Sequence, residues 1–236
     1  MCGRFNVSNT PGLQALLDAL GSDLTLPSPA FNVAPTEAVQ LLRKHDGEVS
    51  LDTARWWLTP HWSEGPSQKY AMFNARCEGL TQSAAFRKPF ASQRGILPLS
   101  SFIEWRKQGA TKQPWLISNT REALAVAALW DCWFDREQAE PLLSCTIVTT
   151  AAAERFRPWH ARMPVMLTPD EQAQWLDNDV PVAADDPLFD ARLKEPLHLV
   201  PIDRAVGNAR HKERGLMAPT GETVTLQPEC NGRVKS

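Results

Sequence analysis

Cys2 stands directly behind the initiator methionine, in the run Met1-Cys2-Gly3-Arg4-Phe5. Methionine is usually trimmed ahead of a residue as small as cysteine, and its loss would leave an α-amine and a thiol on one residue. With a pKa of about 7.7 to 8.0, about a quarter of such an amine is neutral near pH 7.4, against about one in a thousand for lysine. A neutral amine attacks an aldehyde. The thiol, with an unperturbed pKa near about 8.5, is a few per cent thiolate at neutral pH, more beside a cation or base. Together the two groups can close a thiazolidine ring on a carbonyl carbon, a more durable product than an imine. The position suits a small buried hydrophobe equally well, and the residue alone leaves both readings open.

Three further groups have matching chemistry. Asn74, in Asn74-Ala75-Arg76, can hold a terminal amine by hydrogen bonding, and Arg76 can fork onto phosphate oxygens; a turn asparagine beside a surface arginine is the plainer account. Glu104 lies between Phe102 and Trp105, where desolvation would raise its pKa toward neutrality and fit it for proton transfer. It could equally point outward on a strand and pair with Arg106 or Lys107. His160, in Trp159-His160-Ala161-Arg162-Met163-Pro164, can shuttle a proton at neutral pH, with Arg162 placed to bind phosphate. Lone histidines are more often structural, and His45, His61, His198 and His211 carry no chemical signature of their own.

Nine tryptophans beside a single tyrosine make a lopsided aromatic set. Trp56, Trp57 and Trp62 cluster around Pro60. An exposed indole there could stack on a nucleobase for about 1 to 3 kcal/mol, while most of the nine belong in the core.

The elements that must position these groups are partly legible. Asn9-Thr10-Pro11 followed by Leu13, Leu16, Leu17 and Leu20, and then Gly21, reads as a capped helix with a glycine stop. Residues 22–35, rich in proline and polar groups, read as a loop. Two strands over 39–43 and 49–57 flank a tight turn at Asp46-Gly47. Apolar runs at 96–99, 102–105, 115–118, 124–130, 143–149, 164–167 and 197–202 favour strands. Thr168-Pro169-Asp170-Glu171 opens a second helix through a capping box and carries Trp175 and Leu176 toward the core. A short helix is expected over 151–159. Residues 1–217 read as one domain, and 218–236 as a polar, loosely ordered tail.

With 236 residues and 43% hydrophobic content, the chain can bury a substantial core. A net charge of −2 excludes a broadly basic nucleic-acid binder but leaves room for a local basic groove. No apolar run approaches a membrane span, and no signal-like segment opens the chain, so a soluble intracellular protein is expected. The five cysteines, Cys2, Cys77, Cys132, Cys145 and Cys230, are dispersed. They form no Cys-x-x-Cys pair and no zinc spacing, so neither a disulfide framework, a metal nor another cofactor is expected. Cys145 reads as core.

In this order the segments resemble the SRAP (SOS response-associated peptidase) family. The matching runs are Met1 to Phe5, Phe31-Asn32-Val33-Ala34-Pro35, Trp56 to Trp62, Asn74-Ala75-Arg76, Phe102-Ile103-Glu104-Trp105, Thr146-Ile147-Val148-Thr149-Thr150-Ala151, His160-Ala161-Arg162-Met163-Pro164 and Ala205-Val206-Gly207-Asn208. The resemblance implies an α+β fold, a curved, barrel-like, mostly antiparallel β-sheet with flanking helices. It implies a groove for single-stranded DNA and recognition of abasic sites, whose ring-opened sugar exposes an aldehyde. By the same resemblance Cys2 forms the covalent link, Asn74 positions the amine or adduct, and Glu104 and His160 move protons. Arg4, Arg76 and Arg162 contact phosphates, Pro35 and Trp62 offer wedge or stacking surfaces, and Thr149 joins the DNA-binding set. A lyase activity, self-processing ahead of Cys2, a monomeric state and a cytoplasmic, nucleoid-associated location go with this picture.

Two departures touch the expected groove. Trp57 replaces the family's usual glycine after the first tryptophan of the Trp-Gly-x-x-Pro run, and Ser100-Ser101 replaces a polar-glycine turn. Both changes add bulk or remove backbone freedom. Two rival functions stay open: an N-terminal-nucleophile cysteine amidohydrolase, since Met-Cys-Gly also opens certain amidotransferases, and a non-catalytic module that binds single-stranded DNA.

Overall fold

The structure, a computed structural model, describes residues 2–21, 24–45, 47–135 and 140–228. In chain order the elements begin with β1 (Phe5–Val7), α1 (Pro11–Leu20), β2 (Ala30–Val33), β3 (Ala38–His45), β4 (Glu48–Trp56) and β5 (Asn74–Arg76). They continue with α2 (Arg87–Ser92), β6 (Arg94–Leu99), β7 (Ser101–Gln108), β8 (Thr111–Asn119), β9 (Leu124–Trp133) and β10 (Leu142–Ala151). The last are β11 (Arg162–Pro164), α3 (Pro169–Leu176), β12 (Leu197–Pro201) and β13 (Val224–Leu226).

Five strands close a barrel. β4, β3, β6 and β9 follow one another antiparallel, and β10 seals the ring by pairing antiparallel with β9 (Cys145↔Trp130) and parallel with β4 (Cys145↔Trp56). A second sheet runs β2-β1-β7-β8-β12-β13. The expected fold is therefore present: a curved, barrel-like and mostly antiparallel α+β architecture with three α-helices among the described residues. Glycine matters at two places. Gly47 turns the β3–β4 hairpin at φ +85°, a left-handed conformation unfavourable to other residues. A Cβ on Gly95 would lie 2.8 Å from the Leu42 carbonyl oxygen, so the β3–β6 seam of the barrel needs glycine.

Local signals explain both long helices. Thr10 caps α1 by accepting from the Leu13 amide, and the Leu stripe buries Leu13 and Leu17 completely. Burying each leucine stabilises by roughly 1.5 to 3 kcal/mol, so Leu17→Ala should cost about 2 to 5 kcal/mol once the cavity is included. In α3, Thr168 and Glu171 form the capping box in both directions, and Trp175 is fully buried. Its indole N–H donates to the Gly95 carbonyl at 2.8 Å, tying the helix to β6.

Four stretches differ from the sequence reading. Residues 30–33, expected as loop, form β2, because pairing with β1 (Phe5↔Val33) recruits a short segment from proline-rich, polar surroundings. The helix expected over 151–159 is a single 3-10 turn, Glu154–Phe156, cut short between β10 and the Trp159–His160 corner. Over 164–167 the regular strand is only Arg162–Pro164, with Met166 bridging to Val126. The supposed tail contributes β13, which pairs with β12 and buries Leu226 in the core, so the fold runs past residue 217. Asp46, Met1, Cys230 and the rest of the tail from 229 lie outside the described residues.

Trp56 links the two sheets. It is fully buried, its ring lies 4.8 Å from Phe5 of β1, and its indole N–H donates to the Phe73 carbonyl at 2.9 Å. That bond fixes the residue just before Asn74. The same carbonyl accepts from the Ile147 amide at 3.1 Å, which seats β5 alongside β10.

Candidate functional site

Four elements bring Cys2, Asn74, Glu104 and His160 to the junction of barrel and second sheet. The backbone around Cys2 runs beside β7, where the Arg4 carbonyl accepts from the Ile103 amide at 2.9 Å. Asn74 reaches over from β5, and its Nδ2 donates to the Cys2 carbonyl at 3.0 Å. Asn74 Oδ1 is buried and has no hydrogen-bond partner among the described residues, so one strong acceptor remains unused at the cysteine.

Cys2 is 0% exposed, and its Sγ lies 3.8 Å from the Arg4 carbonyl oxygen. Burial pushes the thiol's pKa up strongly, and the negative field of Glu104 pushes it further. The thiol is therefore protonated at neutral pH. The structural reading of Cys2 is correct in that the side chain is buried, but its neighbours are a buried carboxyl and an asparagine rather than apolar groups alone.

Glu104 is 2% exposed, on the face of β7 that points away from Ile103 and Trp105. It is not an outward glutamate paired with Arg106 or Lys107. Burial raises its carboxyl above the usual carboxylate range, and the nearby positive charges, His160 among them, hold the rise in check. His160 follows Trp159, which is wedged against Trp115 (5.5 Å, edge-on) and under the Arg106 guanidinium at 4.9 Å. The His160 Nδ1 is 2.9 Å from the Arg162 amide and 3.0 Å from the Arg162 carbonyl oxygen. One partner suits Nδ1 as acceptor and the other suits Nδ1–H as donor, so the ring is supported in either protonation state. Glu104 and His160 line one cavity of about 390 Å³ with Trp105, Lys112 and Gly207. Two larger clefts, of about 850 and 800 Å³, are lined by none of the four residues.

The expected DNA-contact residues separate into exposed and engaged groups. Trp62 is 59% exposed on a turn that Asp131 and Trp133 pin to the barrel, through the His61 amide at 2.9 Å and the Ser63 carbonyl at 2.9 Å. Arg76 is exposed at the end of β5, and Pro35 is half-buried in the turn after β2. Arg4 is half-buried, Nη1 donating to Gly3 O at 2.9 Å; burial lowers its pKa against the opposing field of Glu37.

Thr149 needs correcting. It is fully buried in β10, so it cannot present its hydroxyl to DNA. That hydroxyl donates to Ala75 O at 3.2 Å and accepts from Arg162 Nη2 at 3.2 Å, so Thr149 orients Arg162. The Arg162 fork is itself occupied, Nη1 and Nη2 meeting the two Glu78 carboxylate oxygens at 2.6 and 3.0 Å. Any phosphate taken by Arg162 must displace or share with Glu78.

Residues outside the expected set also matter. Glu78 lies just beyond the Asn74-Ala75-Arg76 run, yet its pairing with a residue 84 positions away left no local trace. Lys112 carried no motif. Asn32 had a signal, an asparagine inside an apolar run. It adopts φ +50°, and its Nδ2 lies within 3.0 Å of the Val206, Asn208 and His211 carbonyl oxygens, clamping the chain that brings Gly207 to the cavity. The two departures are absorbed: Trp57 turns its indole into the 58–72 loop, donating to Ser67 O at 2.8 Å, and Ser101 accepts from Asn6 Nδ2 at 2.9 Å.

Residues 1–209 match the profile of the SOS response associated peptidase (SRAP) family. The chain is 36% identical over 183 residues to the abasic site processing protein YoaM of Bacillus subtilis, covering 75% of this chain and 79% of YoaM. It is 30% identical over 228 residues to the abasic site processing protein YedK of Escherichia coli, covering 93% and 100%. A solved structure of a Bacteroides thetaiotaomicron protein shares the fold, with a TM-score of 0.71 at 20% identity over 91% of this chain and 98% of that one. With a match spanning the barrel, the second sheet up to β12, and Cys2, Asn74, Glu104 and His160, the chain belongs to the SRAP family.

Proposed function

We propose that this protein senses abasic sites in single-stranded DNA and captures them covalently on Cys2 after Met1 is removed. The observation that carries the reading is the Cys2 backbone held by Asn74 beside a buried Glu104 whose carboxyl is raised. The names of the relatives YoaM and YedK agree with it.

The raised thiol orders the steps. A protonated, buried thiol is a poor first nucleophile, so the neutral α-amine attacks the aldehyde carbon of the ring-opened sugar. Glu104, its carboxyl raised by burial, donates a proton to the carbonyl oxygen, recovers one from the attacking amine and gives it to the hydroxyl, so that water leaves and a protonated imine remains beside the Glu104 carboxylate. Glu104 then takes the thiol proton as Sγ bonds to the imine carbon, the C=N electron pair passes to the nitrogen, and Glu104 is returned to its protonated form. The product is a thiazolidine, with one water lost overall. Asn74 Oδ1 accepts from the amine, and His160 moves protons at the cavity mouth, including in the reverse direction. β-Elimination from the imine would give strand cleavage, and the same groups could serve self-processing ahead of Cys2.

The protein is taken to act as a cytoplasmic monomer that meets the nucleoid through DNA.

The test uses a labelled single strand with one abasic site and a second strand carrying a tetrahydrofuran site, which has no aldehyde. The protein should form a heat-stable adduct with the first strand only, and Cys2→Ala with neither. An equal heat-stable adduct from Cys2→Ala would sink the proposal. Salt-sensitive binding with no adduct from the native protein would favour the non-catalytic module.

A further inference from the structure

The β7–β8 hairpin carries Arg106, Lys107 and Lys112 with no acidic residue between Trp105 and Pro114, in a chain whose net charge is −2. Arg106 is committed to the faces of Trp115 and Trp159, at 5.9 and 4.9 Å. Lys107 and Lys112 are exposed and directly opposed across the antiparallel pair. Like charges so placed, with Cβ atoms about 4.5 to 5.5 Å apart, destabilise a hairpin unless an anion lies between them. Lys112 also lines the cavity that holds Glu104 and His160.

The neighbouring chain extends this charge. Gln113 Oε1 accepts from Arg204 Nε at 3.2 Å, and Gln113 Nε2 donates to Ile202 O at 2.7 Å, so exposed Arg204 is fastened to the hairpin next to Lys112. The Asn32 clamp holds the following residues, including Gly207 at the cavity. Asp203, the nearest acid in sequence, has its Oδ1 engaged by the Ala205 amide at 2.8 Å. The result is a line of exposed cations beside the cavity, with Arg204 held in place and Lys112 at the cavity itself. A line of this kind fits a polyanion.

We infer that Lys107, Lys112 and Arg204 form a phosphodiester-binding track that carries the DNA strand past one side of the Glu104–His160 cavity. The track rests on the proposal that the partner is DNA, and it adds to Arg4, Arg76 and Arg162 a set of contacts from the β7–β8 hairpin and the turn that holds Arg204. It binds backbone rather than sequence, because lysine and arginine on phosphates read charge alone.

The test measures equilibrium binding of an undamaged single strand, with no abasic site, from 50 to 200 mM salt. Removing three phosphate contacts should flatten the logarithmic salt slope by about 2 and weaken binding about tenfold or more at low salt. The variant is Lys107→Gln/Lys112→Gln/Arg204→Gln, with Lys88→Gln on α2 as a control of equal charge type. The Lys107→Gln single variant should also keep or raise the melting temperature, since it relieves the opposed pair. An unchanged slope in the triple variant, or an equal loss in Lys88→Gln, would overturn the track. Because the strand carries no aldehyde, the result is independent of Cys2 chemistry: a track that fails while native protein still forms the adduct leaves the proposed function standing, and the converse also holds.

Discussion

The junction interior and its rim differ in how their polar residues are held. Inside, Cys2, Asn74 and Glu104 are buried, with Asn74 bonded to the Cys2 backbone and Glu104 raised by desolvation. On the surface, taken here as the rim, Trp62, Arg76, Lys107 and Lys112 are exposed, with Lys112 at the cavity itself. Desolvation tunes protonation and so suits the chemical step; exposure keeps cations and an indole accessible and so suits capture of a polyanion. Interior substitutions should therefore act on the rate of adduct formation, and rim substitutions on affinity.

The largest expected effect is on the interior. Cys2→Ser retains the amine but loses the thiol, so its adduct should survive only after borohydride reduction. A heat-stable adduct without reductant would show that ring closure is not what makes the product durable. Glu104→Gln should slow adduct formation about 10²- to 10⁴-fold, measured by single-turnover gel assay at saturating DNA. Asn74→Ala should slow it about 10²-fold by loosening the cysteine backbone.

Glu104 also fixes a pH signature. Its folded-state pKa is raised, so the folded protein binds this proton more tightly than the unfolded chain does. Its carboxylate therefore weakens folding at pH values above the ordinary carboxylate range and has no such effect below it. Glu104→Gln removes that penalty, and its melting temperature at pH 7 should match or exceed that of the native protein while activity falls. A marked drop in melting temperature would mean that Glu104 is a structural group. In the native protein the ring-closing step should slow as pH falls through the raised value, and Glu104→Gln should lose that limb.

Smaller effects belong to the rim. Trp62→Ala should weaken single-strand binding by about 1 to 3 kcal/mol, read as a higher half-saturating DNA concentration with a much smaller change in maximal rate. Glu78→Gln should tighten binding a few-fold, because it frees the Arg162 fork while Thr149 still orients it. Weaker binding in Glu78→Gln would assign the Arg162–Glu78 pair a purely structural role and would blur the division between interior and rim.

Much of this division was legible before the fold was known. Helix α1 announced itself through Thr10, Pro11 and the leucine stripe, and α3 through its capping box, because caps are local chemistry. Residue type and apolar context marked Glu104 and His160 as candidates but left an outward glutamate and a structural histidine open, and their roles came from the family resemblance. What escaped depends on pairing across long separations. β2 and β13 pair with the edges of β1 and β12, and with four and three residues each is too short to stand out in sequence. Thr149 entered the DNA-binding set only through the resemblance, and its strand is interior to the barrel. Glu78 and Arg162 meet only after β5 is seated on β10. The opposed Lys107 and Lys112 emerge from strand register, which their spacing of five around Gly109 did not fix.

The most direct test of the central claim is intact-mass and peptide mapping of the native protein before and after exposure to a single strand with one abasic site. The account predicts a chain lacking Met1, a gain equal to the DNA strand minus one water, and linkage to the N-terminal Cys2 that survives heating without reductant. Retention of Met1 in the adduct, or linkage at any other residue, would contradict it.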